Sequence, residues 1–389
     1  MLIPPAWLLV LCVALGPLAM TVAVPANTVI MREFNADYGA AQSVLTVFLL
    51  ALGASQLFLG WLSDRFGRRP VMMAGLAVFA LGCFLSALAP SLDLLLASRI
   101  VQGIGASAGM SLSRAIVRDV YSREKSASVI GYMGMAMIVA PMIGPGLGGL
   151  ITEHYDWRLI FVVMAVLAVG VFSLVVVKLP ETGGKSKSLS PRFIPSAARL
   201  LAQPSYLGYA MSMTFASGMF FSFQSGAPFL ILESMQRSPT EYGAYFAMTA
   251  FGYFLGNLLS GRYSERVGPD RMIQYGQIPL AIGLVLYWAL SPWQHPLGLF
   301  LPMTLLTMCN GLTIPNAMAG ALSVKPELAG TSAGLSGFLQ IGTGSLLTFI
   351  VGYAQDGSVW PLLIAITFCA AMTAVGAGVG RRAGPGAST

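Results

Sequence analysis

Residues 60–70 read GWLSDRFGRRP. One acid, Asp64, and three arginines, Arg65, Arg68 and Arg69, stand between two apolar stretches, GASQLFL before them and VMMAGLAVFALGCFL after. A crossing of the bilayer needs about 20 apolar residues, so a short polar knot between two such runs reads as the tight connection between two membrane helices. The rest of the chain agrees. Of its 389 residues 56% are hydrophobic and 10% charged, whereas soluble domains carry about 25% charged residues. A soluble fold so poor in charge has too little polar surface to cover itself, and single soluble cores stop growing near about 250–300 residues.

Twelve apolar runs are long enough to cross: 6–30, 40–62, 70–89, 92–116, 126–151, 157–178, 204–231, 241–261, 271–290, 296–320, 328–352 and 358–380. The first has no basic leader and reads as a span rather than a removed signal. If the N-terminus is cytoplasmic, 18 of the 22 Lys and Arg residues fall on the cytoplasmic side and only Arg32, Arg158 and Arg237 on the other. That asymmetry is the positive-inside rule, and it puts both termini in the cytoplasm. It also accounts for the net charge of +7 without nucleic acid. Cys12, Cys83, Cys309 and Cys369 lie singly in separate runs, a spacing that suits neither disulfides nor a metal site.

The longest polar stretch, KLPETGGKSKSLSPRFIPSAARLLAQPS at 178–205, follows the sixth run and is basic and rich in Ser, Pro and Gly. It divides the chain into an N-terminal six-helix half at 1–180, a cytoplasmic linker at 181–203, with a short interfacial helix expected near 197–201, and a C-terminal half at 204–389. The opening knot has a counterpart in the second half. Gln56, Gly60, Ser63, Asp64, Arg65 and Gly67 recur as Asn257, Gly261, Ser264, Glu265, Arg266 and Gly268, a constant offset of 201. Gly131 and Gly134 recur as Gly334 and Gly337 at an offset of 203. Two pairs at nearly one offset indicate duplicated halves, a plan typical of secondary transporters.

Three segments resemble signatures of the major facilitator superfamily. GWLSDRFGRRP is similar to its second-to-third helix loop. LLASRIVQGIGAS, 95–107, resembles its fourth-helix signature, with Arg99, Gln102, Gly103 and Gly105 in register. Gly131-x8-Ala140-x3-Gly144-Pro145-x2-Gly148 resembles the fifth-helix antiporter signature, with Ala140 in place of a glycine. LPET at 179–182 and RAIVRDVY at 114–121 are similar to the drug:proton antiporters, the latter to the bicyclomycin and phenicol exporters. The resemblance implies an all-α membrane protein of twelve helices in two pseudo-symmetric six-helix halves. It implies a monomer in the inner membrane that exports small amphipathic compounds by alternating access, with protons as coupling ion. It also implies a gate at Gly131, Gly144, Pro145 and Gly148.

The pattern fails at one point. Relatives carry an aspartate in helix one, whereas the aligned stretch PLAMTVAVP, 17–25, has Thr21 there, and no acid falls in the middle of any run. A metabolite exporter or an uncoupled facilitator of neutral or anionic molecules is therefore the alternative. Arg99 lies about seven residues, or about 10 Å, into its helix. A central arginine costs roughly 2.5–3.5 kcal/mol to insert, so it is expected to face a cavity or partner unless it snorkels. Thr21, Asn27, Gln102, Phe215, Gln224, Asn316 and Gln340 are the other candidate cavity residues, with interhelical packing as the bland reading of each. The loop at Gly60, Asp64, Arg65, Gly67, Arg68 and Arg69 reads as a conformational latch, Asp64 meeting the positive start of helix eleven. Gly261, Glu265, Arg266 and Gly268 form a sparser second copy. No GxxxxGK[ST] sequence and no catalytic pair appears, and His154 and His295 fall in outer loops, so neither enzyme chemistry nor a cofactor is expected.

Overall fold

The computed structural model describes residues 4–121, 123–182, 193–325 and 328–383, and among them it is helical, with no strand. Twelve long helices, α1–α12, follow the expected runs. They are α1 (Ala6–Glu33), α2 (Tyr38–Phe66), α3 (Arg68–Ala87), α4 (Leu92–Val120), α5 (Arg123–His154) and α6 (Arg158–Lys178). Then come α7 (Pro204–Ser234), α8 (Pro239–Val267), α9 (Pro269–Leu290), α10 (Pro296–Val324), α11 (Ala329–Ala354) and α12 (Trp360–Ala383). Ten of the described helices are long and apolar enough by themselves to cross a membrane. The other two, α4 and α8, have 29 residues each but carry more polar side chains. Large apolar side chains face outward, Val166 of α6 and Val285 of α9 at 67% exposure among them. Such surface is untenable in water and ordinary against lipid.

Prolines shape individual rods. Pro25 lacks an N–H, and α1 is interrupted there by a 3₁₀ turn, Val24–Ala26. α7 contains Pro228 and finishes in a π turn, Leu230–Ser234. α5 runs through Pro141 and Pro145 without a break.

The chain separates into two compact units, Met1–Ser190 with Ser238–Gly243, and Pro191–Arg237 with Ala244–Thr389. In the first, α1 packs on α5 and α4, α3 on α4 and α6, and α2 on α4. In the second, α7 packs on α11, α10 and α12, and α9 on α10 and α12. Four pairings correspond: α1–α5 with α7–α11, α1–α4 with α7–α10, α3–α4 with α9–α10, and α3–α6 with α9–α12. A short amphipathic helix, Phe193–Leu201, buries Ala197 and Leu200 against Tyr206, Tyr209 and Ile273 at one end of the second unit. All four cysteines are buried and unpaired.

Candidate functional site

Gly67 ends α2 and starts α3 with φ 98° and ψ 153°, a conformation that costs any residue with a side chain. The turn aims the next two amides at one carboxylate: Arg68 N–H donates to Glu181 Oε1 at 2.8 Å and Arg69 N–H to Oε2 at 3.3 Å. The Arg68 side chain donates to Asp119 Oδ2 at the end of α4 (3.0 Å) and to the Ser63 hydroxyl. Arg69 Nη2 donates to the Val176 carbonyl of α6 at 2.7 Å. Two of the three loop arginines thus tie α2 and α3 to the ends of α4 and α6. Gly60, Asp64 and Gly131 lie in helices, but outside the residues whose surroundings are described.

The second copy repeats the backbone and changes the chemistry. Gly268 opens α9 with φ 88° and ψ 151°. Glu265 and Arg266 occupy the last turn of α8. Ser264 Oγ donates to Asn316 Oδ1 at 2.8 Å, and Asn316 Nδ2 donates to Ser260 Oγ and to the Leu312 carbonyl, each at 2.7 Å. Asn316 is therefore a pin between α8 and α10 rather than an open cavity amide. No described residue lies within 4 Å of where a Cβ on Gly261 would stand.

Arg99 corrects the cavity expectation. It is 1% exposed, so it neither lines a water-filled space nor snorkels. Its guanidinium donates to the Val44 carbonyl of α2 (3.1 Å), to the Ala19 carbonyl of α1 (3.3 Å) and to Gln102 Oε1 one turn along α4. It also lies over the Phe48 ring, 4.3 Å from the centroid. Gln102 passes the chain on, its Nε2 donating to Cys83 Sγ of α3 at 2.9 Å. One cation thereby ties α1 and α2 to α4, and its desolvation is offset by carbonyl dipoles and a ring face. The glycines of the same signature explain the closeness: a Cβ at Gly103 would stand 2.5 Å from the Phe48 carbonyl oxygen, and one at Gly105 would enter the Phe79 backbone.

The fifth-helix signature makes a comparable contact. A Cβ at Gly144 would collide with Thr21 Oγ1, and one at Gly148 with the Val22 carbonyl. Thr21 is fully buried there and turns its hydroxyl back to the Pro17 carbonyl at 3.2 Å. The position expected to hold a cavity acid is thus part of the α1–α5 seam, with no room left beside Gly144. Pro145 follows within α5.

The remaining candidates divide. Asn27 Nδ2 donates to Gln42 Oε1 at 2.6 Å, joining α1 to α2. Gln340 Oε1 accepts from Ser217 Oγ at 3.0 Å, joining α11 to α7. Phe215 sets its ring edge-on to Phe368 of α12, with centroids 5.6 Å apart. Gln224 alone among these keeps both amide ends unpaired while fully buried. Sequence reasoning missed Glu181 as a partner of the loop. It also missed a cluster at the end of α1, where Glu33 accepts from Trp157 Nε1 (2.5 Å) and pairs with Arg158 (2.7 Å).

A profile of the Major Facilitator Superfamily matches residues 9–348. The chain is 30% identical to "Multidrug resistance protein D" of Escherichia coli K12, over 90% of this chain and 89% of that one. It is also 30% identical to a "Chloramphenicol resistance protein" of Pseudomonas aeruginosa, over 90% and 84% respectively. In fold it is similar to a bacterial homologue of the human lysosomal transporter Spinster, with TM-score 0.77 and 16% identity over 97% and 96% of the two chains. These likenesses span nearly all of the chain and place it among transporters rather than enzymes: the protein belongs to the Major Facilitator Superfamily.

Proposed function

We propose that the protein exports small amphipathic compounds, phenicol- and bicyclomycin-type antibiotics among them, by alternating access in the inner membrane with both termini cytoplasmic. Proton influx drives the cycle in this reading. The observation that carries it is the end-to-end likeness to resistance transporters, 30% identical over 90% of this chain. The tight seam of Gly144 and Gly148 on α1 agrees with an antiporter that must not leak. Gln224 is buried with both amide ends lacking a hydrogen bond, so in this reading it meets a neutral cargo only after the helices around it move apart.

A second reading, an uncoupled facilitator or metabolite exporter, rests on Thr21, which does not titrate and is sealed into a helix contact. Susceptibility profiling separates the two. A pump-deficient host expressing the protein is expected to show several-fold higher resistance to chloramphenicol, lost when a proton uncoupler is added. Cargo that only equilibrates across the membrane, with no resistance and no effect of the uncoupler, favours the facilitator, and no movement of any charged or neutral compound rejects transport.

The α2–α3 loop acts in this reading as a latch that breaks and reforms in each cycle. Asp64→Asn is expected to reduce chloramphenicol export strongly while the amount of protein in the membrane stays the same. A fully active Asp64→Asn protein would dispose of the latch.

A further inference from the structure

We propose that Glu181 is a positioning residue of the transport cycle, fastening the start of the segment that follows α6 onto the α2–α3 turn. The inference rests on the transport reading above and adds to it a residue 113 positions from the amide it holds.

The first amides of a helix need acceptors, and the residue at the N-cap normally supplies one from its side chain. At α3 that residue is Gly67, which has none. The acceptor comes from Glu181, one oxygen to each of the Arg68 and Arg69 amides. The glycine is also the seat of the carboxylate: a Cβ on Gly67 would stand 2.6 Å from Glu181 Oε2 and 3.0 Å from Cδ. Glu181 Oε1 further accepts from the Thr182 amide at 3.1 Å, which fixes the first residue beyond it. The same two arginines send their side chains to Asp119 and to the Val176 carbonyl. Backbone and side chains of Arg68 and Arg69 therefore meet at one place the ends of α4 and α6 and the start of the linker.

The second copy forms its turn by other means. Gly268 has nearly the same φ and ψ as Gly67, no described residue lies within 4 Å of where its Cβ would be, and the helix it opens starts with Pro269, which has no N–H to satisfy and a φ suited to a first turn. At α3 the first residue is Arg68, whose amide does need an acceptor, and Glu181 brings one from beyond another helix. What Glu181 adds is a mechanical link: the exit of α6 cannot shift against α3 without giving up two charge-assisted hydrogen bonds. A residue in that position sets how readily the latch loop and the linker move together, and leaves cargo binding alone.

The experiment uses full-length wild type and Glu181→Gln, which keeps length and one acceptor oxygen but loses the charge. Hydrogen exchange of the Arg68 and Arg69 amides is measured on the purified proteins, with melting temperature alongside, and chloramphenicol export rates in cells. Glu181→Gln is expected to exchange these amides faster and to lower the maximal export rate several-fold. The half-saturating concentration and the melting temperature should stay at wild-type values. Unchanged exchange would show that Glu181 does not hold the turn. Faster exchange with an unchanged maximal rate, or a rate that falls only in step with melting temperature, would reduce Glu181 to a local cap and overturn the proposal. If the wild type exports nothing, the transport reading fails instead, and the exchange rates still decide the fastening.

Discussion

Replacing Arg99 by alanine is expected to leave insertion intact and to destabilise the folded helix bundle. Two effects oppose each other. Removing a central arginine returns roughly 2.5–3.5 kcal/mol on insertion, so α4 should enter the membrane at least as well as before. Within the folded bundle, however, the guanidinium is fully enclosed and reaches Ala19 on α1, Val44 on α2 and Gln102 on α4. Its loss removes about 1.5–3 kcal/mol per charged hydrogen bond at the upper end, a desolvated cation–π contact of about 2 kcal/mol, and leaves a cavity among three helices. The tertiary loss is the larger, so the melting temperature in detergent should drop clearly while membrane levels before extraction hold. Arg99→Lys keeps the charge but not the planar fork that spans two carbonyls and a ring, and should rescue little. An Arg99→Ala protein with wild-type melting and altered cargo preference would restore the cavity role read from the sequence.

Gly148→Val is expected to abolish export and lower folded yield, whereas Gly146→Ala, two residues earlier, should behave like wild type. The difference is direction. A Cβ at Gly148 would meet the Val22 carbonyl oxygen and, at 2.9 Å, its carbon, all main-chain atoms that no rotamer change can move aside. The helices must separate, and overpacking of this kind costs about 1–3 kcal/mol even where a core can adjust. At Gly146 no described residue lies within 4 Å of the added atom, and alanine is the better helix former by about 1 kcal/mol in water. Export by both variants in cells, with yield and melting of the purified proteins, checks the pair. An active Gly148→Val protein would mean that the α1–α5 seam is not needed for the cycle.

The helices were legible because hydrocarbon length is a strong constraint. The run expected at 6–30 is α1, and its interruption at Pro25 follows from a missing N–H. The ends of α4 and α8 extend past the expected 116 and 261, to Val120 and Val267, because their last turns are polar and leave no trace in an apolar count. The repeat was legible at the level of backbone, Gly67 and Gly268 sharing one rare conformation. Partners were not. Nothing in spacing says that Glu181 returns to Arg68, since that meeting depends on how α6 packs against α3. Arg99 and Asn316 show the commonest ambiguity. A polar group in an apolar helix must find water, cargo or another helix, and all three leave the same mark in a sequence. The structure assigns these two to other helices and leaves Gln224 unassigned among the described residues.

The enclosed guanidinium of Arg99 has an electrical consequence. Its partners are carbonyls, an amide and rings, so the first unit carries a fixed positive charge within the hydrocarbon layer. A charge crossing the full membrane field gains or loses about 2.3 kcal/mol per 100 mV, and one crossing part of it a proportionate share. Any step that displaces α4 along the membrane normal is therefore driven or opposed by the potential, according to its direction, even when the cargo is neutral.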